Sequence, residues 1–562
     1  MIDYKEDDFK IEELGNFYSK DKTIFRIFAP EHEKIFLLIN DTSYEMIKNH
    51  YTFEVEVSGD LEGCKYHFLT NRGIKFNDPF SYTLFDDESI VLDKGKFNKE
   101  IVKAQPYENV IIYETSVRDF SSSDTYIGDY KKKFLALAQD NLKIDNYYKI
   151  GLDYLENLGI THLQLLPIFD FDDDHSDYNW GYNPVAFNSL KKDYVYDQDN
   201  PYAYINEFRY VINKLHERNI RVVLDVVFNH VYDEKTFDLN KILPNHFLRR
   251  KYDGTLAAGT LCGNEIKSED PFVRAYLIEM SKRYVELFDI DGLRMDLMGI
   301  LDVHTVKLIN KELKKLKADF IVYGEGWDMG DVLPHDERAS FRNVSRMDDV
   351  SMFNDYFRET IISYVLGNYD LENIMKVISS RNDYLDYLHS INYVECHDGY
   401  TFYDRLGMDG INEDDQTIIK KCKLALALVI LSRGKPFIHS GQEFLRSKNG
   451  LHNSYNFDDA INQLDWNLRV KYNSICDYLK QLIAFRKTHS EFVCEDIPIY
   501  FEEYEKCLLY HLGDLIIMIN PNDFDVIYVN NDYRVVFDEK GICDNKSLQI
   551  KISRHSVFIC KK

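Results

Sequence analysis

The stretch Arg221-Val-Val-Leu-Asp-Val-Val-Phe-Asn-His230 joins an apolar, β-branched run to a polar end. An apolar run of this length predicts a strand that is buried on both faces, as in a parallel sheet. A helical pattern precedes the strand, and its apolar face consists of Ile205, Phe208, Val211, Ile212 and Leu215. A helix that leads into a buried strand indicates a parallel βαβ unit.

The same alternation of strand and helix recurs over residues 106–485. A second helical face consists of Val273, Leu277, Met280, Tyr284 and Leu287. Further strand patterns lie at residues 110–113, 162–166, 292–297, 320–323, 391–394 and 436–439. About seven or eight such repeats predict a (β/α)8 TIM barrel rather than an open sheet.

Short strand patterns flank the predicted barrel on both sides. Residues 1–105 contain alternating runs such as Phe25-Arg-Ile-Phe and Phe53-Glu-Val-Glu-Val, which predict an N-terminal β-sandwich. Residues 486–562 return to strand patterns, as in Leu515-Ile-Ile-Met-Ile-Asn, and predict a C-terminal β-sandwich. The sequence therefore predicts a multidomain α/β protein with three domains.

Composition and charge exclude several classes of function. The net charge of −26 disfavours binding to nucleic acids and to anionic lipid surfaces, because like charges repel. No apolar stretch approaches the roughly 20 residues of a membrane helix, and the charged N-terminus does not resemble a signal peptide. The nine scattered cysteines fit reduced thiols. We therefore expect a cytoplasmic protein with no cofactor, and a structural Ca²⁺ at acidic loops such as Asp172–Asp174 stays an open alternative.

Polar residues follow four of the predicted barrel strands at their carboxyl ends, where the active sites of such barrels lie. The four segments are 225–230, 294–296, 324–327 and 395–398. Arg294 and Asp296 lie two apart and should share a face, and the arginine favours an ionised carboxylate. Several acids in one pocket raise at least one pKa, which gives the acid and carboxylate pair of a retaining glycosidase. For any single acid, a strand-end salt bridge or a helix cap is the alternative.

These segments resemble the four conserved regions of glycoside hydrolase family 13, the α-amylase family, in order and spacing. The regions are Asp225-Val-Val-Phe-Asn-His230, Asp291-Gly-Leu-Arg-Met-Asp-Leu-Met-Gly299, Tyr323-Gly-Glu-Gly-Trp327 and Val394-Glu-Cys-His-Asp398. Within that family, Tyr178-Asn-Trp-Gly-Tyr-Asn-Pro184 is similar to the signature of type I pullulanases, which are debranching enzymes. Upstream, Phe25-Arg-Ile-Phe-Ala-Pro30 resembles a starch-binding (CBM48-like) β-domain.

The resemblance implies a role for each residue that matches a family motif. It implies Asp296 as the nucleophile, Glu325 as the general acid/base, and Asp398 as the carboxylate that stabilises the transition state. It implies an α-glucan-binding set that comprises Tyr178, Trp180, Tyr182, His230, Arg294, Trp327 and His397. Tyr182, together with Tyr178, is the expected stacking platform, and Asp225 is expected to be a structural partner beneath the site.

The chain departs from the family pattern at a few positions outside the three acids. Ser116 stands where the family usually has His, Asn183 replaces the usual Asp of the pullulanase signature, and Gly399 replaces the usual Asn. The N-terminal domain contains no tryptophan, so we expect it to support the barrel rather than to bind glucan.

The implied activity is hydrolysis of α-1,6 branch linkages in pullulan, glycogen limit dextrins or branched maltooligosaccharides. Within the family, the alternatives are an α-1,4-acting amylase or neopullulanase, an isoamylase-like enzyme and a glucanotransferase. Hydrolysis and transfer pass through the same covalent intermediate, so the sequence does not separate them. Outside the family, the alternative is a non-catalytic glycan-binding protein, which would be expected to lack at least one of the three acids.

Overall fold

The computed structural model describes residues 2–174, 176–380, 385–408, 413–529 and 533–562. Eight parallel strands form a closed barrel, in which each strand pairs with the next and the last pairs with the first. In chain order they are β1 (Ile112–Thr115), β2 (His162–Leu165), β3 (Arg221–Val226), β4 (Gly292–Met295), β5 (Ile321–Gly324), β6 (Ser351–Phe353), β7 (Ser390–Asn392) and β8 (Lys435–His439). The predicted barrel is confirmed.

Helices surround the barrel strands. We label α1 (Leu152–Leu158), α2 (Ala203–Glu217), α3 (Pro271–Phe288), α4 (Val303–Leu316), α5 (Asp355–Val365), α6 (Asp415–Leu431) and α7 (Asn473–Lys487). The five apolar residues predicted for the first helical face lie on α2 and are all buried. Further helices in the described part of the chain occupy Asp119–Ser122, Asp238–Ile242, Leu371–Ile378, Phe402–Met408, Asp459–Asn462 and Trp466–Lys471.

One barrel strand was not predicted from the sequence patterns. β6 comprises Ser351, Met352 and Phe353, and all three residues are buried between β5 and β7. A run of three residues without a β-branched side chain gives neither the length nor the composition that predicts a strand. Only closure of the barrel requires a strand at this place.

Two antiparallel sheets form the N-terminal region. One contains Gly15–Tyr18, Lys22–Phe28, Thr52–Ser58 and Ile47–Asn49; the other contains Thr42–Glu45, Ile35–Ile39, Lys65–Thr70, Glu88–Ile90 and Leu84–Phe85, with Lys75–Phe76 alongside. The Phe28 ring stacks on that of Phe272 at the start of α3, with their centroids 4.6 Å apart. One continuous apolar core therefore includes this region and the barrel.

The N-terminal region also contacts the segment that follows residues 178–184. The amide of Leu84 donates to Ser189 Oγ at 3.1 Å, and Asn188 Nδ2 donates to Ser81 Oγ at 2.9 Å. Ser189 in turn accepts the amide of Asp170 through its carbonyl oxygen. The N-terminal sheets thus fix both ends of a long segment that follows β2.

The C-terminal region packs a six-stranded antiparallel sheet against α6 and α7. The sheet consists of Ile499–Tyr504, Cys507–Leu512, Leu515–Asn520, Ser556–Lys561, Arg534–Asp538 and Gly541–Lys546. Val526–Val529 and Gln549–Ile552 form a two-stranded sheet, and a second apolar cluster lies between the two sheets. In the described part of the chain, no helix has the length and apolar character of a membrane span.

Candidate active site

A cavity of about 610 Å³ opens at the carboxyl ends of the barrel strands. It is lined by all three predicted acids and by five of the seven predicted binding residues, namely Trp180, Tyr182, His230, Trp327 and His397. The other lining residues are Asp174, Asn179, Asn183, Tyr232, Thr260, Leu261, Cys262, Leu297, Met329, Asn453 and Tyr455. Most of these residues lie on loops rather than on strands, so they could not be predicted from the ends of strand patterns.

Arg294 forms the floor beneath the acids. Its side chain is 1% exposed, and its Nη1 lies 2.9 Å from Asp225 Oδ1 and 2.8 Å from Asp296 Oδ1. Its Nη2 donates a hydrogen bond to Glu325 Oε1. Because β4 lies between β3 and β5 in the barrel, one guanidinium reaches carboxylates from all three strand ends. Arg294 therefore fixes the acids and does not line the cavity.

Glu325 is held mainly as the protonated acid. Its side chain is 7% exposed, and burial raises its pKa to about 8, although Arg294 acts in the opposite direction. The charges of Asp296 and Asp398 raise the pKa further. The amide of Leu297 donates to Glu325 Oε2 at 2.9 Å and fixes the orientation of the carboxyl group. A carboxylic acid that keeps its proton at neutral pH can protonate a leaving group.

Asp296 differs from Glu325 in its donors. Asn229 Nδ2 donates to Asp296 Oδ2 at 2.8 Å, and Arg294 donates to the other oxygen. The side chain is 11% exposed at the cavity wall. A carboxylate with two fixed donors and access to the cavity can attack an electrophilic carbon.

His397 and Asp398 continue the charged wall from the end of β7. The Asp398 side chain is 44% exposed, and its Oδ2 lies 3.4 Å from His397 Nε2. Burial lowers the pKa of His397, but the charges of Glu114 and Asp398 outweigh it and raise the pKa to about 9. The imidazole is thus a cation that can donate hydrogen bonds to an oxygen in the cavity.

Glu114 is a site residue that the sequence patterns did not reveal. It is fully buried on β1, where its Oε2 accepts the amide of His397 at 2.8 Å and its Oε1 lies 2.8 Å from His397 Nδ1. Gln164 on β2 donates to the same carboxylate at 3.0 Å. The available signal was an acidic residue inside an apolar strand pattern, since such a residue needs a buried partner.

Aromatic rings line the cavity. The Tyr182 ring stacks on His397 with centroids 5.1 Å apart, and its hydroxyl donates to Asp225 Oδ2 at 2.7 Å. Trp180 meets His397 edge-on at 5.0 Å. Trp327 donates through Nε1 to Asp355 at 2.7 Å. These contacts fix three aromatic side chains around the acids, and they place Asp225 beneath the site as expected.

Tyr178 does not lie where the family motif led us to expect a stacking platform. It is 2% exposed and does not line the cavity. Its hydroxyl donates to Asp119 at 2.7 Å, and the guanidinium of Arg118 lies 5.2 Å from its ring centroid. The hydrogen bond to the buried Asp119 carboxylate holds the Tyr178 ring within the cavity wall. Tyr178 therefore orders the loop that carries Tyr182.

The acidic loop at Asp172–Asp174 is paired within the protein. Asp173 forms an ion pair with Lys191 at 3.0 Å, and Asp174 accepts from the Tyr232 hydroxyl at 2.9 Å. Within the ranges that the structure describes, no group of three or more His, Cys, Asp or Glu side chains has a metal-binding arrangement.

The chain is similar to known proteins over most of its length. The model of the α-amylase catalytic domain matches residues 150–243. The pullulanase of Bacillus subtilis strain 168 is 34% identical over 94% of this chain and 81% of its own length. The chain belongs to the type I pullulanases of the α-amylase family.

Solved pullulanase structures share the architecture of this glycoside hydrolase. The type I pullulanase from B. subtilis, solved with maltose, superposes with a TM-score of 0.91 at 31% identity over 99% of this chain and 86% of that one. The pullulanase from Anoxybacillus sp. LM18-11, solved with maltotetraose, gives a TM-score of 0.93 at 29% identity over 99% and 89%. The predicted family and fold are therefore confirmed.

Glu325 should set the alkaline limit of activity. Because the acid form is required, kcat/KM should fall as pH rises through the raised pKa of Glu325, at about 8. The residual activity of Asp398→Asn should show this limb at a lower pH, since the charge of Asp398 contributes to the shift. A limb near the ordinary glutamate value of about 4.3 in the unmodified enzyme would contradict the assignment.

Removal of the Glu114 charge should lower the pKa of His397. In Glu114→Gln the amide still fits the pocket, but the charge that raises the pKa of His397 is lost, so burial dominates. NMR titration of labelled histidines, with His397→Gln for assignment, measures the shift. Exposed Glu372→Gln is the matched control and should leave the titration unchanged. An unchanged His397 pKa in Glu114→Gln would refute the pairing.

Proposed function

We propose that Asp296, Glu325 and Asp398 hydrolyse α-1,6 branch linkages with retention of configuration. The observation that carries this proposal is the contact of one buried guanidinium, Arg294, with both Asp296 and Glu325, while burial raises the pKa of Glu325 to about 8. Glu325 thereby keeps its proton beside Asp296, whose carboxyl oxygens accept hydrogen bonds from Arg294 and Asn229. A retaining glycosidase requires two carboxyl groups in such different environments.

In the first step, Glu325 gives its proton to the glycosidic oxygen while Asp296 attacks the anomeric carbon. The bond to the leaving glucan breaks, and an ester joins the sugar to Asp296. In the second step, Glu325 as a base takes a proton from water, which attacks the same carbon and releases Asp296. Asp398 lies on the open side of the cavity, where it is placed to hold sugar hydroxyls and to oppose the positive charge of the transition state.

The wall residues suit a neutral sugar. The face of Tyr182 can stack on the sugar ring, and the His397 cation can donate to a hydroxyl oxygen. His230 lines the same cavity, and burial lowers its pKa, so it contributes a neutral imidazole. Trp327 is assigned to the leaving-group side. These assignments need no cofactor, because each proton and electron pair moves between side chains, water and substrate.

The proposed substrates are branched α-glucans such as pullulan, glycogen limit dextrins and branched maltooligosaccharides. The similarity to pullulanases of known structure supports this class. Relatives named as glycogen debranching enzymes, such as that of Escherichia fergusonii at 25% identity, support the same linkage type. We also propose a cytoplasmic location, which the nine free cysteines support.

The products formed from pullulan test the linkage. Hydrolysis of α-1,6 bonds should release maltotriose, whereas panose or isopanose would indicate α-1,4 cleavage and contradict the proposal. Asp296→Asn should lower kcat by about a thousandfold or more because it removes the nucleophile. The control is Asn449→Asp, which also changes one charge but at an exposed position. It should leave the products and the rate unchanged. Longer products that form when maltose is added would identify transfer in place of hydrolysis.

A further inference from the structure

A second cavity, of about 260 Å³, lies where the barrel helices meet the C-terminal sheet. Its wall combines residues of α6, residues of α7, the turn at 539–540 and the start of the last strand. Three lysines line it, and we call it the lysine cavity: Lys420 and Lys423 from α6, and Lys540 from the turn. It shares no lining residue with the catalytic cavity.

The lysine cavity is positively charged in a chain whose net charge is −26. Glu539 is the one carboxylate among the lining residues that the structure describes, and it lies 4.0 Å from Lys420, at the limit of an ion pair. Among the described residues, Lys423 and Lys540 have no carboxylate within 4 Å. Lysine is the most solvated of the basic residues, and unpaired ammonium groups that converge on one cavity leave a local excess of positive charge.

Other polar groups of the wall can donate hydrogen bonds. Gln416 and Ser474 are exposed at the cavity and carry an amide and a hydroxyl group. Lys423 is half-buried, and its Nζ lies 5.0 Å from the ring centroid of Tyr478, which fixes the ammonium by a cation–π contact. Three ammonium groups, together with amide and hydroxyl groups that can donate, complement a ligand that presents several acceptor oxygens and negative charge.

Electrostatics at Lys423 favour such a ligand. Burial and the neighbouring Lys420 lower the pKa of Lys423, while Glu539 and Asp477 raise it. A bound anion would stabilise the ammonium form at this half-buried position. The attraction of the ammonium groups then offsets the free-energy cost of removing water from the anion. Isolated lysines on an exposed surface attract an anion too weakly to offset that cost.

We propose that the lysine cavity binds the phosphate group of a small molecule, either inorganic phosphate or a phosphate monoester. Phosphate is a compact dianion with acceptor oxygens on every side, and lysine ammonium groups bind it as point charges. The volume accommodates a small molecule and not a folded partner. Because the wall joins α6, α7 and the C-terminal turn, the ligand would bridge the barrel and the C-terminal sheet and stabilise their contact.

Calorimetric titration of the full chain tests the proposal, with inorganic phosphate, glucose 1-phosphate and uncharged glucose as probes at constant ionic strength. We expect saturable 1:1 binding of a phosphate probe with a dissociation constant on the order of 1 mM, and a ligand-dependent rise in Tm. Tighter binding of glucose 1-phosphate would assign the site to phosphate monoesters, and equal or tighter binding of inorganic phosphate would assign it to the free ion. Glucose should not bind at this site.

Two variants locate the binding. Lys423→Gln and Lys540→Gln should each weaken phosphate binding about tenfold, since each removes one ammonium group. Lys540 lies in an exposed turn, so its variant keeps the test valid if Lys423→Gln disturbs the packing of Tyr478. Lys311→Gln on the exposed side of α4 removes the same charge and should not change the affinity. Absence of saturable phosphate binding, or equal affinity in Lys540→Gln and Lys311→Gln, would overturn the proposal.

Discussion

The buried guanidinium of Arg294 is the interaction on which the catalytic site depends. It is 1% exposed and pairs with Asp225, Asp296 and Glu325, which come from three adjacent barrel strands. Without this cation, three carboxyl groups in one buried cluster would repel one another, and burial would favour their protonation. With it, Asp296 accepts two fixed hydrogen bonds, while Glu325 stays mainly protonated. The barrel brings these four charged residues together because the carboxyl ends of its parallel strands all lie at one rim.

A second charged pair lies opposite the first and completes the site. Glu114 on β1 holds His397, whose pKa rises to about 9, and His397 in turn lies beside Asp398 and beneath Tyr182. The exposure of the three acids rises from Glu325 through Asp296 to Asp398. Their environments therefore differ in a graded way: the proposed acid is the most deeply buried, the proposed nucleophile is at the cavity wall, and the carboxylate proposed to stabilise the transition state is the most exposed. Differences of environment, rather than of residue type, can assign three carboxyl groups to three tasks.

The sequence predicted those parts of the fold and of the site that depend on short, continuous stretches of residues. The barrel and the location of the acids were both predicted from the apolar stretch at Asp225 and from the segments around Arg294 and Glu325. All strands of a parallel barrel run in the same direction, so residues that follow different strands lie at the same end of the barrel. The sequence patterns failed where tertiary contacts decide. The three-residue strand β6 has no pattern of its own, and the partner of Glu114, His397, lies 283 residues away in the loop that follows β7. Tyr178 was misplaced because the carboxylate that draws it into the wall belongs to a distant segment of the chain.

Covalent trapping tests the central claim most directly. A deoxyfluoro α-maltosyl fluoride should trap the sugar ester. The ring fluorine slows both steps because it destabilises the positive charge of each transition state, while the fluoride leaving group accelerates only the first step. The ester therefore forms faster than it hydrolyses. Mass spectrometry of peptides from the trapped enzyme should show one maltosyl adduct, on the peptide that contains Asp296. The adduct should be absent in Asp296→Asn. An adduct on Glu325 or Asp398, or turnover of the reagent by Asp296→Asn at the rate of the unmodified enzyme, would contradict the account.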